Sequence, residues 1–215
     1  MSVNHMKLYQ SSASPNSRRV RIFLAEKSLY MPLIPVDLGQ GEQHGEAYRA
    51  INPRRVVPTL VLEDGTAIGE VPVIQGYLEA RFPDAPLLGD TALEKAQIAM
   101  WDRRAEQEGF ASVMEAIRNV LPGLKGRAIA GPHDYAQIEA LAERSKQRAQ
   151  NFFRDLDARL QTVAFVAGER YSVADITAMV TLDFATKAIN YVVPDELTAL
   201  KRWYANVSAR ASAAA

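Results

Sequence analysis

Cysteine is absent from the sequence. That excludes disulfides, thiolate metal sites, a nucleophilic thiol and dithiol redox chemistry, so any sulfur chemistry must use a thiol carried in by a ligand. Histidine is scarce: His5, His44 and His133 lie far apart without ligand spacing, and no metal site is expected. No excess of one charge exists, with 25 Lys and Arg against 25 Asp and Glu. This balance argues against nucleic acid or a membrane surface as the main partner. Apolar runs stay short of the roughly 20 residues of a membrane span, and residues 1–6 lack a signal peptide's apolar region. A soluble cytoplasmic protein is the expectation. The 215 residues suffice for one large or two small domains.

The first half alternates short strands with helices. Lys7-Leu8-Tyr9 reads as a strand, residues 10–13 as a polar loop, and Ser14-Pro15 as a helix start, with serine as cap and proline at the first helical position. Apolar spacing through Val20, Phe23 and Leu24 continues that helix to Lys27. A second strand is expected near Leu33–Leu38, a flexible loop over residues 39–45 and a short helix over Glu46–Ile51. Strand, helix, strand in this order implies a parallel, right-handed βαβ unit. Val57-Pro58 then heads a strand through Leu62, Asp64-Gly65 supplies a hairpin turn, and Pro72 opens a helix through Ile74, Tyr77 and Leu78. X-Pro is the bond that adopts cis cheaply, and Glu70 falls beside a helix N-terminus that prefers an anion. The order is βαβαββα.

Residues 84–89 read as a linker between a domain over 1–83 and a second over 90–215. Beyond it no strand is evident. Thr91 and Glu94 form a capping-box pattern for one long helix carrying Trp101, Phe110, Met114 and Ile117, ended by Pro122-Gly123. His133 or Asp134 is expected to cap a second long helix, Ser172 and Asp175 a third, and Pro194-Asp195-Glu196 to open the last. The Ala/Ser tail after Ala209 is expected to fray.

Asn52-Pro53, Val57-Pro58-Thr59-Leu60, Glu70, and Gln75-Gly76-Tyr77-Leu78 running to Arg81-Phe82-Pro83 together resemble the glutathione-binding half of the cytosolic glutathione transferases. Ser172-Val-Ala-Asp175 after Phe165-Val-Ala-Gly168 resembles the capping motif of their helical half. The resemblance extends from Lys7 to about Arg210. It implies a thioredoxin-like α/β domain followed by an all-α helical bundle, a homodimer, and a serine-type enzyme of the bacterial theta- or nu-like kind.

Carried onto this sequence, the resemblance implies that Val57, before a cis Pro58, pairs through its backbone with the cysteinyl part of glutathione. Glu70 and Val71 would hold the γ-glutamyl end, Val71 standing where the family has serine. Gln43 and His44 lie in the loop where the glycine carboxylate often binds. Arg55 is a weaker candidate for that carboxylate, because Val56 replaces the family's lysine. Ser14 matches the serine that activates the thiol, with Asn16 as its rival, Ser11, Ser12 and Ser17 as substitutes and Tyr9 a minor alternative. Independently of the family, a hydroxyl at a helix N-terminus suits a sulfur anion, and it equally suits a plain cap. Arg18, Arg19 and Arg21 crowd the first turns of that helix and are expected on a solvated or subunit-contacting face.

The implied reaction is attack of bound glutathione thiolate on a small apolar electrophile, with glutathione as co-substrate and no other cofactor. Met100, Arg104, Phe110, Met114 and Ile117 could line the electrophile pocket or simply be core. Two other readings share the fold: a glutathione-dependent isomerase or disulfide-bond reductase, and a non-catalytic protein-association module.

Overall fold

Four short strands form one sheet in the order β2-β1-β3-β4. In it, β1 (Lys7–Gln10) is parallel to β2 (Leu33–Pro35) and antiparallel to β3 (Thr59–Val61), which pairs antiparallel with β4 (Ala67–Ile68). The helices between them are α1 (Pro15–Glu26), α2 (Glu46–Ile51) and, after β4, α3 (Val71–Arg81). The βαβαββα order is therefore present, with β2 shorter than its apolar pattern suggested. Its strand ends at Pro35, one residue before Val36 N makes a last bond to Gln10 O of β1 at 2.8 Å. The stretch expected to be a flexible loop contains one 3₁₀ turn, Glu42–His44.

This computed structural model describes residue 3 and residues 5–215. The chain divides into two units: one runs to Pro86 and includes Ala130–Pro132 and the last two residues, the other comprises Leu87–Ile129 and His133–Ala213. The first unit's core lies where Leu8 and Leu60 of the sheet meet Val20 and Phe23 of α1 and Ile74 and Leu78 of α3, all fully buried. Lys27, just past α1, has its side chain almost fully buried and paired with Glu79 at 2.6 Å. It also donates to the carbonyls of Asp84 (2.7 Å) and Ala85 (3.2 Å), so every ammonium proton has an acceptor.

The second unit is helical: α4 (Ala92–Arg104), α5 (Ala111–Arg118), α6 (Glu139–Leu160), α7 (Val173–Ile189) and α8 (Thr198–Ser208). Helix α7 is buried on every side over its first ten residues, as an apolar helix of a core should be. No helix among the described residues is long and apolar enough to cross a membrane.

Four expectations are corrected here. The long helix from Thr91 is interrupted by a π-helical segment, Ala105–Phe110. Gly109 permits it: a Cβ there would stand 2.6 Å from the Phe152 ring of α6. The carbonyls that the wider turn leaves over are taken by side chains, Gln107 O by Arg148 (3.1 Å) and Glu108 O by Ser112 (2.6 Å). Helix α6 begins at Glu139, not at His133 or Asp134, because Asn119 Oδ1 accepts from Ile138 N at 2.9 Å and Gln137 donates to the carbonyls of Arg118 and Leu121. Those bonds hold residues 137–138 extended. Helix α8 begins at Thr198 rather than at Pro194, and a first-turn amide, Leu200 N, is satisfied by Asp157 Oδ1 of α6 at 2.8 Å. The tail forms a 3₁₀ turn over Ala211–Ala214, with Ser212 buried.

Candidate active site

Sheet register brings four loops to one end. Strands β1 and β2 run in parallel and both end there. Tyr9 near the end of β1 pairs with Thr59 at the start of β3, and Leu60 pairs with Ile68 at the end of β4. The Ser11–Ser14 loop, the segment after β2 that carries Gln43 and His44, the Val57–Pro58 bond, and Glu70–Val71 therefore all leave or enter the sheet on the same side.

Serine hydroxyls shape the first loop. Ser14 has extended backbone (φ −90°, ψ 119°), and its Oγ accepts from Ser17 N at 3.2 Å, with Pro15 next in the first turn. Ser17 Oγ in turn accepts from Ser11 N at 3.2 Å. Ser14 is thus an N-cap, and the cap uses only an acceptor lone pair: the O–H proton stays available to a ligand. Its rival Asn16 accepts from Arg19 Nη1 through Oδ1 at 3.2 Å, which leaves its amide protons to donate.

The arginines of α1 depart from expectation. Arg19 is fully buried, and Arg21 donates to Gln10 Oε1 (2.6 Å) and Ser11 O (3.3 Å), fastening the loop to β1. Burial, with the charge of Arg18 adding to it, lowers the pKa of Arg21 from its ordinary value.

Around the next loop a polar knot holds the backbone. The Val57–Pro58 peptide is cis. Val56 O accepts from Tyr48 OH (2.6 Å) and Asn52 Nδ2 (3.0 Å); Thr59 Oγ1 is bonded to Asn52 Nδ2 (2.8 Å) and to Tyr48 OH (2.9 Å). Asn52 Oδ1 accepts from Arg54 N at 2.9 Å. Tyr48, Asn52 and Thr59 are all buried, and burial pushes the Tyr48 phenol up. The N–H and C=O of Val57 have no hydrogen bond among the described residues and form an open backbone pair beyond the end of β3. Tyr48 was not singled out from the sequence, and Thr59 only as part of the Val57-Pro58-Thr59-Leu60 stretch, without a role of its own. The available signal was an Asn-Pro beside a Pro-Thr, with a tyrosine one helical turn before the asparagine.

At the third loop Glu70 has φ 61° and ψ 123°, a conformation that L side chains rarely adopt. Its carbonyl accepts from Val73 N (3.1 Å) and Ile74 N (3.0 Å), while its carboxylate is exposed and unbonded among the described residues. Val71 N–H is also unpaired among them, and Pro72 has none to offer. The Val71 side chain is 4% exposed and belongs to the core. Gln43, in the Glu42–His44 turn, has a buried Oε1 without a partner. Arg55 also takes a positive φ, 56°.

Of the residues considered for the second substrate, Met100 is half exposed, Phe110 is buried against Phe184 (ring centroids 5.8 Å apart), and Arg104 lies over the Trp101 ring at 4.6 Å.

Comparison with known proteins agrees with this geometry. Residues 13–81 match the glutathione S-transferase N-terminal domain and residues 96–211 the glutathione S-transferase C-terminal domain. Glutathione S-transferase 2 of Saccharomyces cerevisiae is 34% identical over 210 residues, covering 96% of this chain and 87% of the yeast protein. A crystal structure of a glutathione S-transferase domain-containing protein from Marinobacter aquaeolei superposes with a TM-score of 0.88 at 37% identity, over 96% of this chain and 98% of that one. Maleylacetoacetate isomerase of Pseudomonas aeruginosa is 39% identical over 111 residues, about half of each chain (51% and 48%). The chain belongs to the glutathione S-transferase family of enzymes.

Proposed function

We propose that this enzyme binds glutathione at the end of its sheet and transfers the thiolate to a small apolar electrophile. The observation that carries the reading is the set of unengaged groups on three adjoining loops: the Val57 backbone pair, the Glu70 carboxylate with Val71 N–H, and the Ser14 hydroxyl proton. An extended tripeptide with an ammonium and a carboxylate at its γ-glutamyl end and a thiol in the middle has a complementary group for each. The Val57 pair would fix the cysteinyl backbone as an added strand fixes itself to an edge. Glu70 would meet the ammonium, and Val71 N–H at the start of α3 the carboxylate. Ser14 would donate to the sulfur anion while the α1 terminus favours its charge.

In this serine-type reading Ser14 acts on the thiol and Asn16 is the rival. Gln43 and His44 serve the glycine end. A cytoplasmic homodimer completes the proposal, and light scattering at micromolar concentration gives its mass. The deciding experiment measures glutathione binding by calorimetry and then the pH profile of conjugation for the parent, Ser14→Ala and Asn16→Ala. The parent is expected to bind glutathione, and only Ser14→Ala to move the thiol's apparent pKa upward. A shift in Asn16→Ala alone would transfer the role to Asn16, and absence of binding would overturn the reading.

The match to a maleylacetoacetate isomerase favours a second reading, a glutathione-dependent isomerase. Retention on immobilised glutathione followed by parallel assays with electrophiles, disulfides and a cis-enedione acid separates these activities.

A further inference from the structure

A cavity of about 240 Å³ opens in the second unit, lined by none of the residues of the candidate active site. One wall is a stripe on α6, Lys146, Gln150 and Arg154, spaced four residues apart. At 1.5 Å rise per residue the two cations stand about 12 Å apart along the axis, too far to share one small anion. The opposite wall is where the chain leaves α7: Ile189, Tyr191, Val192 and Pro194. Asn190 there takes a left-handed backbone (φ 53°, ψ 37°), which turns the chain back over α6.

Tyr191 is the informative member. Its ring is buried, 8% exposed, and stacked on Phe153 of α6 with centroids 4.7 Å apart. A stacked and buried tyrosine ordinarily finds a partner for its hydroxyl. This one lines the cavity, where its hydroxyl is open to solvent and has no protein partner among the described residues. Burial raises the pKa of the Tyr191 phenol above its ordinary value, the charge of Arg154 opposes that rise and the charge of Glu196 adds to it. Among the described residues Arg154 itself donates only to Asn151 Oδ1, at 3.2 Å, which leaves most of its guanidinium protons for another acceptor. Lys146, by contrast, is already paired with Glu143 at 2.6 Å. Beside this polar corner Val192 is 81% exposed, an apolar side chain with nothing packed on it.

We propose that this cavity binds a small monocarboxylate with an aryl or short alkyl body. The Arg154 guanidinium and the Tyr191 hydroxyl donate to the carboxylate, and Val192, Ile189 and Pro194 cover the apolar body. The volume equals about eight water-sized groups, which limits the body to roughly one ring or a short chain. The site stands on the second unit's own residues and does not depend on the glutathione reading. Gln150, midway along the stripe, is placed to meet a further polar substituent.

The test uses the full chain and 3-phenylpropionate, with 3-phenylpropan-1-ol and 3-phenylpropylamine as charge controls, titrated by calorimetry. The acid is expected to bind, and the alcohol and amine at least about tenfold more weakly, the difference made by a hydrogen bond to a charged group. Arg154→Gln and Val192→Asp, both at exposed side chains, should each weaken the acid about tenfold, and Tyr191→Phe about threefold. None of the three should alter melting by more than a few degrees or change the conjugation rate. Parental affinity in Arg154→Gln and Val192→Asp would place the acid elsewhere. Equal binding of acid and alcohol would show that charge is not read. Either result, or no binding of the acid, overturns the proposal.

Discussion

At the start of α7, Ser172 is followed by Asp175, whose carboxylate accepts from Ser172 N (3.0 Å), Ser172 Oγ (3.2 Å), Val166 N (2.9 Å) and Trp203 Nε1 (2.9 Å). At the start of α1, Ser14 is followed by Pro15, Asn16 and Ser17, and the first turn contains no acid. Both serines are buried N-caps, at 0% and 7% exposure. The first terminus is saturated by the chain's own anion, which also joins the preceding loop and α8 to α7. The second keeps its positive end uncompensated, with three arginines in the turns that follow and one hydroxyl proton unspent. One arrangement holds a core together; the other leaves a place for a charge that arrives from outside.

Breaking the saturated terminus should have the largest effect. Asp175→Ala strips an acceptor from four donors, most of them buried, and is expected to cost more than about 4 kcal/mol of stability in chemical denaturation. Glutathione affinity per folded molecule should stay at the parental value. The same carboxyl gives the comparison a pH signature. Burial raises its pKa to about 6 despite the four donors, which pull it down. An acid raised in the folded state binds its proton more tightly there than in the unfolded chain. Its contribution is therefore full below about pH 4 and is lost as pH rises to about 6, by up to about 3 kcal/mol. Asp175→Asn should flatten that part of the stability profile.

Next in size is the open terminus. Ser14→Ala should cost only the cap, about 1 kcal/mol of stability. At neutral pH, turnover should fall by roughly tenfold to a hundredfold, because each unit of rise in the thiol pKa is worth about 1.4 kcal/mol. A pH profile of conjugation measures this. A large stability loss with an unchanged profile would make the two serines alike and dissolve the comparison.

The two termini were also unequally legible. Ser172-x-x-Asp175 and Thr91-x-x-Glu94 are caps written within one turn, and both are present as read. Helices α6 and α8 were misplaced because their ends are satisfied from a distance, by Asn119 and Asp157, and no local rule sees a partner 19 or 43 residues away. Gly109 could be read as a weak point in a helix but not as the contact with Phe152 that lets a π turn form. At the candidate site, Ser14, Val57, Pro58 and Glu70 stood out because helix starts and X-Pro bonds have sequence signatures. Tyr48 and Thr59 act through a buried knot whose geometry exists only once the loop is folded.

Glu70 extends the comparison to a third helix start. Its positive φ costs about 1 to 2 kcal/mol relative to ordinary backbone, and a glycine would be at ease there. Glu70→Gly should therefore keep or slightly raise the melting temperature while glutathione binding weakens. Glu70→Gln isolates the charge and should weaken calorimetric affinity by about 1.5 to 3 kcal/mol. Equal affinity in Glu70→Gln would remove the carboxylate from the site.

The smallest effect is expected at Val71, where the family's serine is missing. On the proposed binding mode, a serine hydroxyl there would add one hydrogen bond to the ligand carboxylate assigned to Val71 N–H, a gain of about 0.5 to 1.5 kcal/mol in affinity. The Val71 side chain is 4% exposed, however, so the same change removes two buried methyl groups from the core beneath α3. That loss is about 1 to 2 kcal/mol of stability. The substitution should thus separate the two quantities: tighter glutathione by calorimetry, and a melting temperature a few degrees lower. Pro72 restrains φ at the next position, so the backbone at residue 71 has little freedom to compensate. Lower stability without tighter binding would mean that the ligand's carboxylate does not lie at the start of α3. Of the three helix starts compared, α1 alone would then remain open to an arriving anion.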